Sequence, residues 1–345
     1  MNYSFTQISL LFVFLLVNLC ILTKSVSYRP TKGKFIILVS ILVFAAIVRP
    51  STMADYYFYD AFFSSTGESR FELGFQFVRV LARYTSNPVI VGLAITAIFT
   101  IVLRSHFIFK YSKWIMGSVV VYLSYIYILQ DMITIRAGMA SACLPFIILA
   151  KQQRKYILMV GLLVLAVLFH QSAAIFLVVL LLKERKYEQI FYPLLLIGSY
   201  ILAMSGLQMG KLIALLQISS VQEHFATFDS SNANIFNLLQ MGRVSVCLIG
   251  WIVYKRYREI DHEYVSVVML KLYTVGLSVV VLLSDFLIIA YRFGEILLSV
   301  EVIVVPYVMM SLFKKSNYQK ISLSVYSCIM FYIMYTNKAL WVADY

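Results

Sequence analysis

Apolar runs recur along the whole chain, at about 5–23, 35–48, 88–103, 114–130, 133–150, 156–170, 172–182, 190–206, 241–254, 265–284, 293–313 and 321–337. Runs of this length with short polar connections restrict the fold to helices packed in a bilayer, where each lipid-exposed segment must satisfy its own backbone hydrogen bonds. The sequence therefore predicts an all-α, polytopic transmembrane bundle of about 12 spans, with residues 1–345 forming a single integral membrane domain. Composition excludes the alternatives. At 61% hydrophobic and 13% charged residues the chain is too apolar for a soluble globule, and it lacks the short alternating strands of an outer-membrane barrel. The two runs around His170 are short and closely joined, which suits a tight hairpin, a re-entrant pair or one broken helix. No Lys or Arg precedes Lys24, so the first run lacks the basic flank of a signal peptide and reads as a retained span.

The formal charge of +13 suits either a nucleic acid or an anionic membrane face, and its distribution selects the membrane. Most Lys and Arg residues fall in alternate short connections, around Lys24–Lys34, Arg104–Lys113, Lys151–Lys155, Lys183–Lys186, Lys255–Arg258 and Lys314–Lys320. By the positive-inside rule that set is cytoplasmic, and both termini lie outside. The outer side keeps Arg49, Arg70, Arg79, Arg83, Arg136, Lys211, Arg243, Arg292 and Lys338, nearly all of them arginine, the residue suited to a bidentate grip on phosphate or carboxylate. Acidic residues sort there too, among them Asp55, Asp60, Glu68, Glu72, Asp131 and Asp285.

Two outer loops are long, about 49–87 and 207–240. In the first, Phe71, Phe75, Val78 and Leu81 or Ala82 recur at helical spacing against Glu72, Arg79 and Arg83, which predicts an amphipathic helix on the outer membrane surface. The second has an apolar segment (Lys211–Ile218), a polar stretch (Gln222–Asn234) and a return toward the bilayer (Ile235–Met241), the pattern of a lid over a substrate or of a plain connection.

Arg136 opens the run that continues through Pro145 to Ala150. An arginine near a helix centre costs about 2.5 to 3.5 kcal/mol on insertion scales, so it needs a partner or a water-filled cavity. With Arg292 and His170, placed at similar depth on the same side, it would make a receptor for a multiply charged anion, and a diphosphate fits. The competing readings are packing pairs with Asp131, Asp285 or Glu295 for the arginines and a helix cap for His170. Asp55 and Glu72, with Tyr56, Tyr57, Tyr59 and Asp60 nearby, are the ingredients of a carbohydrate site, acids for hydroxyls and rings for sugar faces, and one acid is placed to act as a base. For the tyrosines the competing reading is an interfacial aromatic belt. Arg49 and Arg243 are further substrate-binding candidates; for them, and for Arg70, Arg79 and Arg83, headgroup contacts or surface ion pairs compete. The four histidines, 106, 170, 224 and 262, are too scattered for a metal centre, and no phosphate loop, dinucleotide fingerprint or zinc-protease motif occurs, so neither a metal nor a cofactor is expected.

In order, Asp55-Tyr56-Tyr57, Phe71-Glu72-Leu73-Gly74-Phe75, Ile135-Arg136-Ala137-Gly138-Met139-Ala140, Phe169-His170-Gln171-Ser172-Ala173 and Tyr291-Arg292-Phe293 resemble the EpsG family. This family groups with the Wzy-type polymerases of bacterial exopolysaccharide, capsule and O-antigen. Its members often read Arg-Gln at Arg136-Ala137 and Glu-Pro-Gly at Glu72-Leu73-Gly74, so Ala137 and Leu73 are not carried over as site positions. The resemblance implies a polymerase in the bacterial cytoplasmic membrane, acting on its outer face. It would move a growing chain from one undecaprenyl diphosphate to another lipid-linked repeat unit, alongside a flippase and a chain-length regulator and without nucleic acid. It further implies that Arg136 and Arg292 hold the departing diphosphate, that His170 assists or takes a proton, and that Asp55 or Glu72 orients or deprotonates the acceptor hydroxyl. The rival class is a flippase or exporter of the same lipid-linked saccharides, which needs its arginines in a cavity reachable from both sides.

Overall fold

A computed structural model describes residues 5–65, 67, 71–184, 186–208, 233–260 and 264–341. Among these residues all regular structure is helical. The first helices are α1 (Phe5–Thr23), α2 (Lys32–Ile47), α3 (Tyr56–Ser64), α4 (Leu73–Arg83) and α5 (Pro88–Tyr111). They are followed by α6 (Ile115–Val121), which widens into a π-helix over Tyr122–Ile133, then α7 (Ile135–Gln152) and α8 (Tyr156–Phe169). A 3₁₀ segment (Gln171–Leu177) leads into α9 (Val178–Leu181), and the chain continues through α10 (Glu188–Met204), α11 (Leu238–Ile252), α12 (Tyr254–Ile260) and α13 (Val265–Leu282). It ends with α14 (Leu287–Leu298), α15 (Glu301–Leu312), α16 (Ser316–Thr336) and α17 (Lys338–Trp341).

Every apolar run of the sequence falls on helix, yet the twelve expected spans are not matched by twelve membrane-length helices. Among the described residues four helices are long and apolar enough to cross a bilayer: α1, α5, the 115–133 helix and α13. The number rises to six if α11 with α12, bent by 85°, and α14 with α15, bent by 60°, each count as one span. Of the remainder, α8 with 14 residues and α9 with four are shorter than the roughly 20 that a hydrocarbon core requires, whereas α7 and α16, with 18 and 21 residues, are less apolar than the four. Of the second outer loop, Lys211–Ile218 and most of Gln222–Asn234 lie outside the described residues, as does Arg70. The return toward the bilayer is described, and there Asn237 caps α11 by accepting from the Gln240 N–H at 2.8 Å.

The 115–133 helix and α13 lie at the centre, with nearly all of their residues buried. Polar side chains bind neighbouring helices to them. Arg104 of α5 donates to Gln130 Oε1 (3.0 Å) and Ser141 Oγ (2.8 Å) and lies 3.7 Å from Asp131, which also accepts from the Tyr122 hydroxyl. The charge count had put Arg104 in a cytoplasmic connection and Asp131 beside an outer loop. Both are in fact interior, because α5 runs on to Tyr111 and carries Arg104 into the bundle. Lys271, expected within a span, is fully buried on α13 and paired with Glu188 of α10.

The α4 helix also departs from expectation. It forms in the first outer loop and buries Phe75, Val78 and Ala82 of the expected apolar face, but Arg79, expected on the polar side, is buried with them, while Leu73, Phe77 and Tyr84 are exposed. Arg79 can be buried because its guanidinium lies 4.7 Å from the Phe62 ring centroid and donates to the Gly67 carbonyl at 3.2 Å.

Gly138 fixes how closely α7 approaches the end of the π-helix. A Cβ there would lie 2.2 Å from the Gln130 carbonyl oxygen, so only glycine fits. Replacing Gly138 with Ala forces two backbones apart, and overpacking of this kind costs about 1–3 kcal/mol. A lowered thermal unfolding midpoint in detergent is the expected outcome; an unchanged midpoint would contradict the packing.

Candidate active site

Helix ends supply the site. At the Ile133–Ile135 junction the wide helix stops, with the Thr134 N–H donating to the Leu129 carbonyl at 2.7 Å, and α7 begins so that Arg136 stands in its first turn. His170 terminates α8 in an extended conformation (φ −155°, ψ 119°). Glu72 occupies the position before α4 but does not cap it, which leaves its carboxylate free to reach away from its own helix. Gly74 permits that reach: a Cβ there would meet the Leu168 carbonyl at 2.7 Å, so α4 lies directly against the end of α8.

Glu72 joins the three segments. Its Oε2 accepts from Arg136 at 2.7 Å, and its Oε1 lies 3.2 Å from His170 Nδ1 while accepting from the Gln171 N–H at 3.2 Å. Burial by itself would raise the Glu72 pKa, but the bond with His170 and the charge of Arg136 outweigh it and hold the carboxyl at about 2. Both oxygens are therefore engaged and ionised at neutral pH. The Arg136 guanidinium also lies 4.2 Å from the Phe71 ring centroid, and Phe71 packs on Phe62 and Phe75 at 4.7 and 5.8 Å. An aromatic wall thus holds Arg136 in one orientation.

Asp55 is set differently. Its backbone is left-handed (φ 62°), a conformation uncommon outside glycine but tolerated by aspartate. Its side chain makes no capping bond to α3 and turns onto a cavity of about 230 Å³. Burial raises its pKa, against the opposing pull of Arg136 and Arg292.

The same cavity is lined by Asp55, Tyr59, Arg136, His170 and Arg292. Residues spread over almost the whole chain therefore converge, and the two arginines open into one space. Neither makes the packing pairs considered from sequence. Arg136 pairs with Glu72, and exposed Arg292 forms no ion pair among the described residues. Glu72 stands off the lining and holds two residues that are on it.

Four expected binding residues lie off this cavity. Arg49 is buried and donates to the Ala46 carbonyl (2.7 Å) and to the Met132 carbonyl, tying α2 to the end of the wide helix. Arg243 is 1% exposed, with its fork spent on Glu295 (2.7 and 3.2 Å) and on Glu301 (2.8 Å), so it has no face left for a ligand. Tyr56 is half-buried and Tyr57 is exposed, and neither reaches the lining.

The sequence reading missed Tyr125, Gln130, Tyr291 and Glu295, which do line it. Glu295 accepts from the Tyr125 hydroxyl at 3.0 Å and is held by Arg243. Tyr291 and Glu295 are four residues apart on α14, a spacing that would have placed both on one helix face with Arg292 beside it.

This geometry separates the arginines by task. Arg243→Met leaves Glu295 and Glu301 as buried, uncompensated charges, and breaking such a pair costs about 3–5 kcal/mol, whereas Arg292→Met removes an exposed group with no ion pair among the described residues. Thermal unfolding should show a large fall for the first and almost none for the second; equal midpoints would contradict the assignment.

Comparison with known proteins points to the same family as the sequence resemblance. The Amylovoran biosynthesis protein AmsC of Erwinia amylovora is 23% identical over 291 residues, covering 79% of this chain and 77% of that protein. No solved structure gives a significant match. The EpsG family model matches residues 34–345, and the chain, a membrane protein, belongs to the EpsG family.

Proposed function

We propose that this protein is a polysaccharide polymerase that joins lipid-linked repeat units by glycosyl transfer at the outer face of the bacterial cytoplasmic membrane. The observation that carries the proposal is the convergence of Arg136, Arg292 and Asp55 on one cavity. Family membership and the likeness to an exopolysaccharide biosynthesis protein support the same reading. A donor on undecaprenyl diphosphate brings two phosphates whose charge grows as the bond to the sugar breaks. Two guanidinium groups on the wall of one cavity stabilise that charge where it develops. Among the described residues no carboxylate pairs with Arg292, which leaves its guanidinium to the departing diphosphate. Arg136 keeps its bond with Glu72 and presents its remaining N–H groups to the cavity.

In the reaction, an acceptor hydroxyl oxygen attacks the anomeric carbon of the donor chain, the bond from that carbon to the diphosphate oxygen breaks, and the hydroxyl proton passes to a base. Asp55 suits that role. It lines the cavity, accepts no side-chain cap, and its raised pKa brings it closer to that of a useful base. Glu72 does not suit it, because both of its oxygens are bonded and its pKa is near 2. Its task is to position Arg136 and His170. No general acid is needed, since a diphosphate leaves readily with its charge matched.

Arg136→Ala and Arg292→Ala should each lower the polymerisation rate of the purified protein by roughly 10²–10³-fold, with single repeat units persisting on lipid; unchanged chain lengths would reject the site. For Asp55 the sign is set by its raised pKa. Asp55 must be ionised to accept a proton, so the rate should fall as pH drops through a value above the ordinary 3.8. Asp55→Asn should slow the reaction by roughly 10²–10⁴-fold and abolish this acid limb; a variant that keeps the limb would assign the base elsewhere.

A further inference from the structure

A second concavity, of about 960 Å³, lies on the outside of the bundle between α2 and α5. Its floor is apolar, with Ile36, Phe44, Ile98 and Val102 all exposed along it. From Phe35 to Ile47 the floor runs twelve residues along α2, about 18 Å at 1.5 Å per residue, close to the roughly 15 Å hydrocarbon depth of a single leaflet. One end alone is basic. Arg29, Lys32 and Lys110 gather there with His106, and none of the three cations pairs with a carboxylate among the described residues.

Two further features mark that end as a receptor for an anion. It holds the N-terminus of the 16-residue α2, whose first-turn N–H groups and dipole favour negative charge. Gly33, in that first turn, has nothing within 4 Å of where a Cβ would sit, so the backbone there is open to a ligand. An apolar trough one leaflet long with uncompensated cations at its mouth matches a single class of molecule, an anionic lipid lying head-first against Arg29, Lys32 and Lys110.

We propose that this groove binds one anionic phospholipid, its phosphate at the basic mouth and an acyl chain along α2 and α5. The occupant is distinct from the lipid-linked substrate. The basic mouth is at the Lys32 end of α2, whereas Asp55 and the catalytic cavity follow its other end, so a carrier whose head lay at Lys110 would hold its diphosphate at the wrong end of the helix. The inference requires only a bilayer and does not rest on the polymerase reading. Phe35 and Phe109, whose rings lie 4.8 Å apart, stand together near the basic end of the groove, and a lipid bound along the two helices stabilises the fold by binding the native state.

The test uses the purified full chain in neutral detergent, titrated with phosphatidylglycerol or phosphatidylcholine, with native mass spectrometry for adducts and thermal unfolding in parallel. One phosphatidylglycerol should be retained per chain at least tenfold more tightly than phosphatidylcholine, and the unfolding midpoint should rise with it. The R29Q/K32Q/K110Q variant should lose that preference, and Val102→Trp, which blocks the trough and leaves the cations intact, should lose the adduct. K314Q/K315Q, outside the groove, should behave as the parent chain. Equal retention of the two lipids by the parent chain, a phosphatidylglycerol preference that survives R29Q/K32Q/K110Q, an adduct that survives Val102→Trp, or undecaprenyl phosphate displacing phosphatidylglycerol at equal concentration would overturn the proposal.

Discussion

The carboxylate of Glu72 is the interaction on which the site depends. It gathers the start of α7, the end of α8 and the start of α4 onto two oxygen atoms. An arginine in the first turn of a buried helix is costly unless compensated, and here the compensation is an ion pair backed by an aromatic ring. The compensation is also incomplete in a useful sense, since 22% of the Arg136 side chain stays exposed and part of its fork faces the cavity. A buried pair of this kind adds little net stability compared with an apolar replacement. What it supplies is a fixed place for a charge.

Charged side chains elsewhere follow the opposite pattern. Arg104, Arg243 and Lys271 are buried with their partners, Arg104 joining consecutive helices and the other two joining helices more distant in sequence. Arg243 is held by carboxylates on either side of the 60° break between α14 and α15, so the bend itself is fastened by one guanidinium. The break lets Glu295 and Glu301 approach one group from two helices, and Tyr326 completes the shell by donating to Glu301 at 2.6 Å. Glu295 thus belongs to two systems, a structural network on one side and the cavity wall on the other.

Much of the site was legible in the sequence because its residues stand at helix ends, where apolar runs begin and stop. Run boundaries and loop charges alone grouped Asp55, Arg136, His170 and Arg292, and these four do line one cavity. Depth and pairing were not legible. The positive-inside rule sorts connections by side and says nothing about how far a helix continues inward, so Arg104 and Asp131 were assigned to opposite loops although they meet in the core. Arg243 was misread for the same reason: its carboxylate partners lie on helices whose packing no local pattern reveals. On α4 the helical period and most of the buried face were legible, with Phe75, Val78 and Ala82 inward; burial of Arg79 was not, because it depends on the Phe62 ring and the Gly67 carbonyl. Apolar runs mark helices without marking which of them cross, and among the described residues four to six meet the length and apolarity of a span.

The central claim is that Arg136 and Arg292, far apart in the chain, act together on one lipid-borne diphosphate. An experimental structure of the protein with an unreactive lipid diphosphate bound tests this most directly. The account predicts phosphate density in the cavity beside Asp55, within hydrogen-bond distance of both guanidinium groups. Density elsewhere on the protein, or in contact with only one of the two, would contradict it.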